Sequence, residues 1–310
     1  MRVLIAEQDH ALYARLLREA APELEVLTSG DSAELADQAA LCQVWLGQPD
    51  LLATLLLQGH QPQWLQSTWA GHTPLLADGL QRDYRLTRAV GIFGQVMAEY
   101  VLTYMLVHER EVLARLVSQV ERKWDDRPGR SLEGRRVLIV GTGDIGQRVA
   151  EFLLPFGAKL YGIASQAREQ APFIEVAAIS ELGRLVGEVD YVVNLLPDTP
   201  ATHDLYDAAL FARFNPDALF INAGRGVAVV DGDLVEALKL GHLAGAVIDV
   251  CRQEPLPARH PFWTAWGLLL TGHSSAPTSP AAMVRLFVEN VQAYQAGRAW
   301  RGEVDFQRGY

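Results

Sequence analysis

Several short stretches of this chain set chemically capable residues beside glycines or at the ends of apolar runs. The first is Gly141-Thr-Gly143-Asp144-Ile145-Gly146, which follows the apolar run Val137 to Val140. A helical pattern comes next, with Ile145, Val149, Phe152 and Leu153 on one face. In a strand–turn–helix setting these glycines bring backbone N–H groups and the positive end of a helix to a pyrophosphate. The same glycine spacing also occurs in ordinary turns, so the flanking elements carry the reading of a dinucleotide site. The second stretch, Asn222-Ala223-Gly224-Arg225-Gly226, holds a guanidinium between glycines, where its planar fork suits a carboxylate; a surface arginine in a turn is the plain alternative. The third, Asp249-Val-Cys-Arg-Gln-Glu254-Pro255-Leu-Pro257, supplies two carboxylates, and the fourth, Thr271-Gly272-His273, a histidine. A carboxylate near a histidine favours imidazolium, which can give up a proton to a reacting oxygen. Leu196, Pro197 and Thr202 leave another apolar run and are placed to lie under a nucleotide.

The elements that must position these residues follow from the hydrophobic pattern. From Arg135 onward strands at Val137–Val140, Lys159–Ile163, Tyr191–Leu196, Leu219–Asn222, Gly245–Val250 and Leu268–Thr271 alternate with helices at Ile145–Phe156, Ser180–Gly187, Asp207–Phe214 and Asp231–Leu240. That alternation predicts a doubly wound parallel sheet, whose right-handed crossovers put Arg225, Glu254 and His273 along one edge. Residues before Gly94 form a smaller α/β unit, with strands at Arg2–Ala6, Leu24–Leu27 and Gln43–Leu46 and helices at Ala11–Ala20 and Pro49–Leu57. Trp45, at the end of a strand, is expected either to wall a substrate pocket or to sit in the core. Gly94 to Val120 contains no internal Pro or Gly and predicts one long helix, apolar on more than one face and so buried on several sides. A final helix covers Pro280 to Ala296.

Composition narrows the function classes. The chain has 310 residues, enough for two domains with sizeable cores, and 49% apolar against 21% charged residues, ordinary for a globular protein. A net charge of −10 without a basic cluster argues against nucleic acid or an anionic membrane as partner. The longest apolar runs, such as Leu51 to Leu57, fall far short of the ~20 residues that span a bilayer. Cys42 and Cys251 show neither CxxC nor metal-type spacing, so a reducing cytoplasm is expected and no metal.

Taken in order, Gly141–Gly146, Asn222–Gly226, Asp249 with Glu254-Pro-Leu-Pro257, and His273 resemble the D-isomer-specific 2-hydroxyacid dehydrogenase family over nearly the whole chain. Gln66-Ser-Thr-Trp-Ala-Gly71 and Gly91-Ile-Phe-Gly94 with Glu99-Tyr100 are most similar to its glyoxylate/hydroxypyruvate reductase branch. The resemblance implies two Rossmann-like domains with an inter-domain cleft: residues 1–98 with 279–310 as a flavodoxin-like substrate domain, and residues 99–278 as the NAD(P)-binding domain. It implies that Arg225 binds the substrate carboxylate and carbonyl, that His273 donates the proton and that Glu254 pairs with it. The backbone of Ala70-Gly71-His72 would hold the carboxylate. The nucleotide would meet Gly141, Gly143, Asp144, Ile145, Gly146, Leu196, Pro197, Thr202, Ala223, Gly224 and Asp249. Reduction of a small 2-keto acid to the D-2-hydroxy acid is the expected activity. A phosphoglycerate-type dehydrogenase and a nucleotide-sensing protein without turnover remain the alternatives.

The chain departs from the family at two places. Gly272 stands where the family usually has proline before the catalytic histidine. The strand after the glycine motif carries no acid at Ile163 to Ala167, where NAD-specific members bind the ribose hydroxyls. Ser165, Gln166 and Arg168 are instead expected to receive a 2′-phosphate, which favours NADP(H) over NAD(H). Arg168 as a solvated loop residue is the alternative. The apolar Gly94–Val120 stretch, with the general prevalence of two-fold dimers, predicts a homodimer.

Overall fold

The computed structural model of the protein describes residues 1–306 and contains two compact units. The first begins with β1 (Arg2–Ala6), α1 (His10–Ala20), β2 (Glu25–Thr28), α2 (Ser32–Ala39), β3 (Val44–Gly47), α3 (Pro49–Leu57), β4 (Trp64–Ser67) and β5 (Arg85–Thr87). The second runs through α4 (Gly94–Glu109), α5 (Val112–Val120), β6 (Arg136–Val140), α6 (Asp144–Leu153), β7 (Lys159–Ala164), β8 (Glu175–Ala178), α7 (Leu182–Leu185), β9 (Tyr191–Asn194), α8 (Ala208–Phe211), β10 (Leu219–Asn222), α9 (Asp231–Leu240), β11 (Gly245–Ile248) and β12 (Leu268–Leu270). The chain then rejoins the first unit as α10 (Pro280–Gln295), which packs on α1. No helix among the described residues is long and apolar enough to cross a membrane.

Both sheets are parallel. The first has the order β2-β1-β3-β4-β5 and the second β12-β11-β10-β9-β6-β7-β8. In the second sheet the strands are apolar without alternation because both faces are covered. Leu138, Val140, Val192, Phe220 and Ile248 pack on one side. Their neighbours Val137, Ile139, Val193 and Ile221 pack on the other, with Met97, Ala98, Val101 and Met105 of α4. Because α4 buries that row against the second sheet, the units divide between Phe93 and Gly94 rather than after residue 98.

The long helix expected over Gly94–Val120 is two helices. Glu111 adopts a left-handed φ of 51°, and the Arg115 guanidinium caps the break on the Arg110 and Asp125 carbonyls at 3.0 and 2.8 Å. The apolar residues on many sides belong to helices with different surroundings: α4 is buried against the sheet, whereas α5 buries none of its residues. The α8 and α7 helices are shorter than the pattern suggested, and α2, β4, β5 and β8 were not anticipated. β4 is fully buried yet carries Gln66 and Ser67, so hydropathy does not reveal it. Gln66 is accommodated because its Oε1 accepts hydrogen bonds from Thr87 at 2.8 Å and Asn290 at 2.9 Å.

Candidate active site

In a parallel doubly wound sheet the carboxyl ends of the strands share one edge, and the order reverses between β6 and β9. At the end of β6, Gly141 has φ +105°, and a Cβ on Gly146 would lie 2.0 Å from the Gly141 carbonyl oxygen. Only glycine lets strand and helix approach this closely. A Cβ on Gly143 would meet nothing within 4 Å, so the space ahead of the α6 N-terminus is open to a ligand. Asp144 is exposed and Ile145 half-buried in the first turn of α6. These features fit a nucleotide diphosphate, with the loop backbone and helix end as its cradle.

Ser165 and Gln166 are exposed just beyond β7. Arg168 is not simply solvated: its guanidinium donates to Thr142 Oγ1 at 2.8 Å and to Gln170 Oε1 at 2.8 Å. Gln170 in turn donates to the Thr142 carbonyl at 2.9 Å. Arg168 is thereby fastened to the middle of the glycine loop. Leu196 and Pro197 leave β9 at the same edge, Leu196 half-buried and Pro197 exposed. Thr202, expected to meet the nucleotide, is buried and donates its hydroxyl to the Pro197 carbonyl at 2.8 Å. It also accepts the Thr199 N–H at 3.0 Å, so it shapes the turn. Ala223 and Gly224 follow β10, where the Gly224 N–H donates to Asn222 Oδ1 at 3.3 Å. Asn194 and Asn222 form a buried pair at 2.9 Å that ties the β9 and β10 loops together.

Arg225, Glu254 and His273 come together in the second unit. With Asp198, Val227 and Cys251 they line a cavity of about 210 Å³. His273 Nδ1 lies 2.7 Å from Glu254 Oε2, and the Cys251 N–H donates to Glu254 Oε1 at 2.8 Å. Partial burial alone would raise the Glu254 pKa, but the hydrogen bonds from His273 and the Cys251 amide outweigh it and hold it below the ordinary value. The hydrogen bond to Glu254 raises the His273 pKa against partial burial, with the Asp249 charge adding and Arg225 opposing. The pair therefore favours imidazolium, and with Nδ1 turned to Glu254 the Nε2–H is the proton that can be offered to a ligand.

Asp249 is buried, 2% exposed, and its carboxylate binds the histidine loop. Oδ1 accepts the Thr271 hydroxyl at 2.6 Å and the Ser274 N–H at 2.8 Å, and Oδ2 accepts the Ser275 N–H at 3.2 Å. Sequence reasoning had not found this loop-shaping role, nor that of Arg252, which donates to the Val229 and Val227 carbonyls and pairs with Asp204. No spacing rule marks them, because each acts across segments distant in sequence.

In the first unit, Ala70 and Gly71 are half-buried in the loop after β4, at the carboxyl edge of that sheet. His72 is buried, with Nδ1 3.4 Å from the Ala70 carbonyl oxygen. Trp45 is a core residue and not a pocket wall. It is fully buried among Leu4, Leu52 and Leu65 and donates its indole N–H to the Cys42 carbonyl at 3.1 Å. Packed between strand and helix, it has no surface left for a substrate.

The D-isomer specific 2-hydroxyacid dehydrogenase NAD-binding domain matches residues 102–275. The chain belongs to this family, and it is an oxidoreductase with an NAD(P)-binding domain. It is 32% identical to a glyoxylate/hydroxypyruvate reductase A of Escherichia fergusonii, across 97% of each chain. A family member from Aeromonas salmonicida superposes with a TM-score of 0.92 at 37% identity, covering 98% of this chain and 99% of that one. An NADPH-dependent glyoxylate/hydroxypyruvate reductase from Sinorhizobium meliloti, solved with NADP and sulfate, gives 0.86 at 26% identity, covering 100% and 99%.

Proposed function

We propose that the protein reduces a small 2-keto acid of the glyoxylate or hydroxypyruvate type to the D-2-hydroxy acid, with NADPH preferred over NADH. The observation that carries this reading is the His273–Glu254 pair at 2.7 Å, facing the same cavity as Arg225. When bound, the nicotinamide supplies the hydride. Arg225 neutralises the substrate carboxylate and polarises the C2 carbonyl. His273 gives its Nε2 proton to the carbonyl oxygen, and Glu254 stabilises the imidazolium before transfer. The NADPH preference rests on Arg168 at Thr142 and on the lack of an acid from Ile163 to Ala167.

The test is NAD(P)H absorbance decay with glyoxylate, hydroxypyruvate and pyruvate, using both cofactors. Turnover of the first two with NADPH favoured is expected, and no turnover of any 2-keto acid sinks the reading. The working form is a homodimer in a reducing cytoplasm, in keeping with the unpaired Cys42 and Cys251. Leu113, Leu116, Val117 and Val120 of α5 form an exposed apolar row at helical spacing, which a second copy would cover. Light scattering is expected to give twice the 34.2 kDa chain mass; a monomer at micromolar concentration rejects the dimer.

A further inference from the structure

His273 sits on a turn that its own backbone does not favour. Gly272 and His273 are both left-handed, at φ +67° and +55°. A Cβ at Gly272 would meet no atom within 4 Å, so side-chain packing does not brace the turn there. Proline could not stiffen it either, since its φ is fixed near −65°. Something else must hold the histidine in place.

We propose that Tyr100 is a positioning residue for His273, acting through Thr271 and Asp249. This rests on the reading of His273 as proton donor. The direction of the hydrogen bonds follows from chemistry. Thr271 donates its single hydroxyl proton to Asp249 Oδ1, at 2.6 Å. Thr271 Oγ1 is then the acceptor toward Tyr100, whose O–H donates at 2.8 Å. Burial pushes the Tyr100 phenol well above its ordinary pKa, so it remains a donor throughout the working range.

The chain of bonds reaches both flanks of the histidine. The Ser274 and Ser275 N–H groups bind the same carboxylate, and the His273 N–H donates to the Asp249 carbonyl at 2.6 Å. Tyr100 stands on α4, a long helix packed on α6, so the far end of the chain is fixed to a rigid element. The hydroxyls of Tyr100 and Thr271 thus do for this turn what a rigid ring or close packing would otherwise do. Without Tyr100 the Thr271 side chain loses one of its two anchors, and the imidazole samples positions from which proton transfer is slower.

The experiment compares Tyr100→Phe, Thr271→Val and Thr271→Ser with wild type and His273→Ala, using NADPH and glyoxylate. Tyr100→Phe and Thr271→Val should each lower kcat about tenfold. Their glyoxylate KM, their NADPH Kd by fluorescence titration and the basic limb of the pH profile should stay as in wild type, because Arg225 and the Glu254–His273 pair are untouched. Thr271→Ser keeps the hydroxyl and should keep kcat. Normal kcat in both Tyr100→Phe and Thr271→Val overturns the proposal, as does a parallel loss of kcat, NADPH affinity and Tm, which would show a merely structural role. If Tyr100→Phe does not fold, the Val and Ser variants of Thr271 decide. A wild type without turnover, or a fully active His273→Ala, removes the proton-donor reading and this inference with it. Turnover that depends on His273 but not on Tyr100 or Thr271 removes this inference alone.

Discussion

The two edges of the second sheet each hold a glutamate among cations, and they differ in how completely it is satisfied. At the amino edge, Glu109 is 2% exposed. Its Oε1 accepts from Tyr191 at 2.5 Å and ion-pairs with Arg135 Nε at 2.9 Å, while Oε2 accepts from Arg135 at 3.2 Å and ion-pairs with Arg130 at 3.3 Å. Every partner is permanently charged or, like Tyr191, held in its neutral form by burial and Glu109. At the carboxyl edge, Glu254 is partly exposed beside a cavity, and its partner is a histidine that titrates. A saturated carboxylate among arginines has nothing left to offer a ligand and fastens α4 under the sheet. A half-open carboxylate on a histidine keeps a proton available. In the proposed mechanism the same residue type serves stability at one edge and chemistry at the other.

This contrast breaks first at His273. His273→Ala should lower kcat by about 10²–10⁴-fold, the usual worth of general acid catalysis, while Tm moves little. Near-normal turnover in a stopped-flow assay would show that the carboxyl edge is not where the proton comes from. Glu109→Ala should do the reverse. Removing one partner of a buried ion cluster costs about 3–5 kcal/mol, so chemical denaturation should show a large loss of stability. The kcat of the protein that remains folded should match wild type; a catalytic loss without a stability loss would erase the distinction between the edges.

A smaller effect sharpens the nucleotide side of the carboxyl edge. A charge-assisted contact is worth about 1.5–3 kcal/mol, so Arg168→Ala should reduce the NADPH-over-NADH ratio in kcat/KM by roughly 10–150-fold. An unaltered ratio would place the selectivity elsewhere. The gentlest change is Glu254→Gln. The raised pKa of His273 means that imidazolium, and with it reduction, persists above the unperturbed value of ~6.5 and is lost as pH rises through the shifted pKa. Removing the Glu254 charge should move the basic limb of the kcat/KM profile to lower pH, and superimposable profiles would show that the pair does not set it.

The parts of this protein that were legible in the sequence are those written in local pattern. The run Val137 to Val140 into Gly141 and Gly146 requires its strand, turn and helix, because few other residues tolerate that φ or that approach. Arg225, Glu254 and His273 could be placed on one edge because parallel strands in right-handed crossovers leave no other arrangement. The break at Glu111 was not legible. Nothing in the composition of Gly94–Val120 interrupts a helix, and the turn is held by Arg115 reaching carbonyls as far along as Arg127. Trp45 was equally ambiguous, since one residue at a strand end reads the same whether it faces core or solvent.

What the chain fixed by itself is therefore the order of its elements, the phosphate loop and the residues at the strand ends, all consequences of backbone preference and apolar period. The tertiary structure decided which of those residues act together. It set Glu254 on Nδ1 of His273, folded Arg168 back onto Thr142 and turned Asp249 into the anchor of the histidine loop. These are pairings between segments tens of residues apart. Their strength depends on burial and on hydrogen-bond geometry, which come into being only when the sheet has brought the strand ends together.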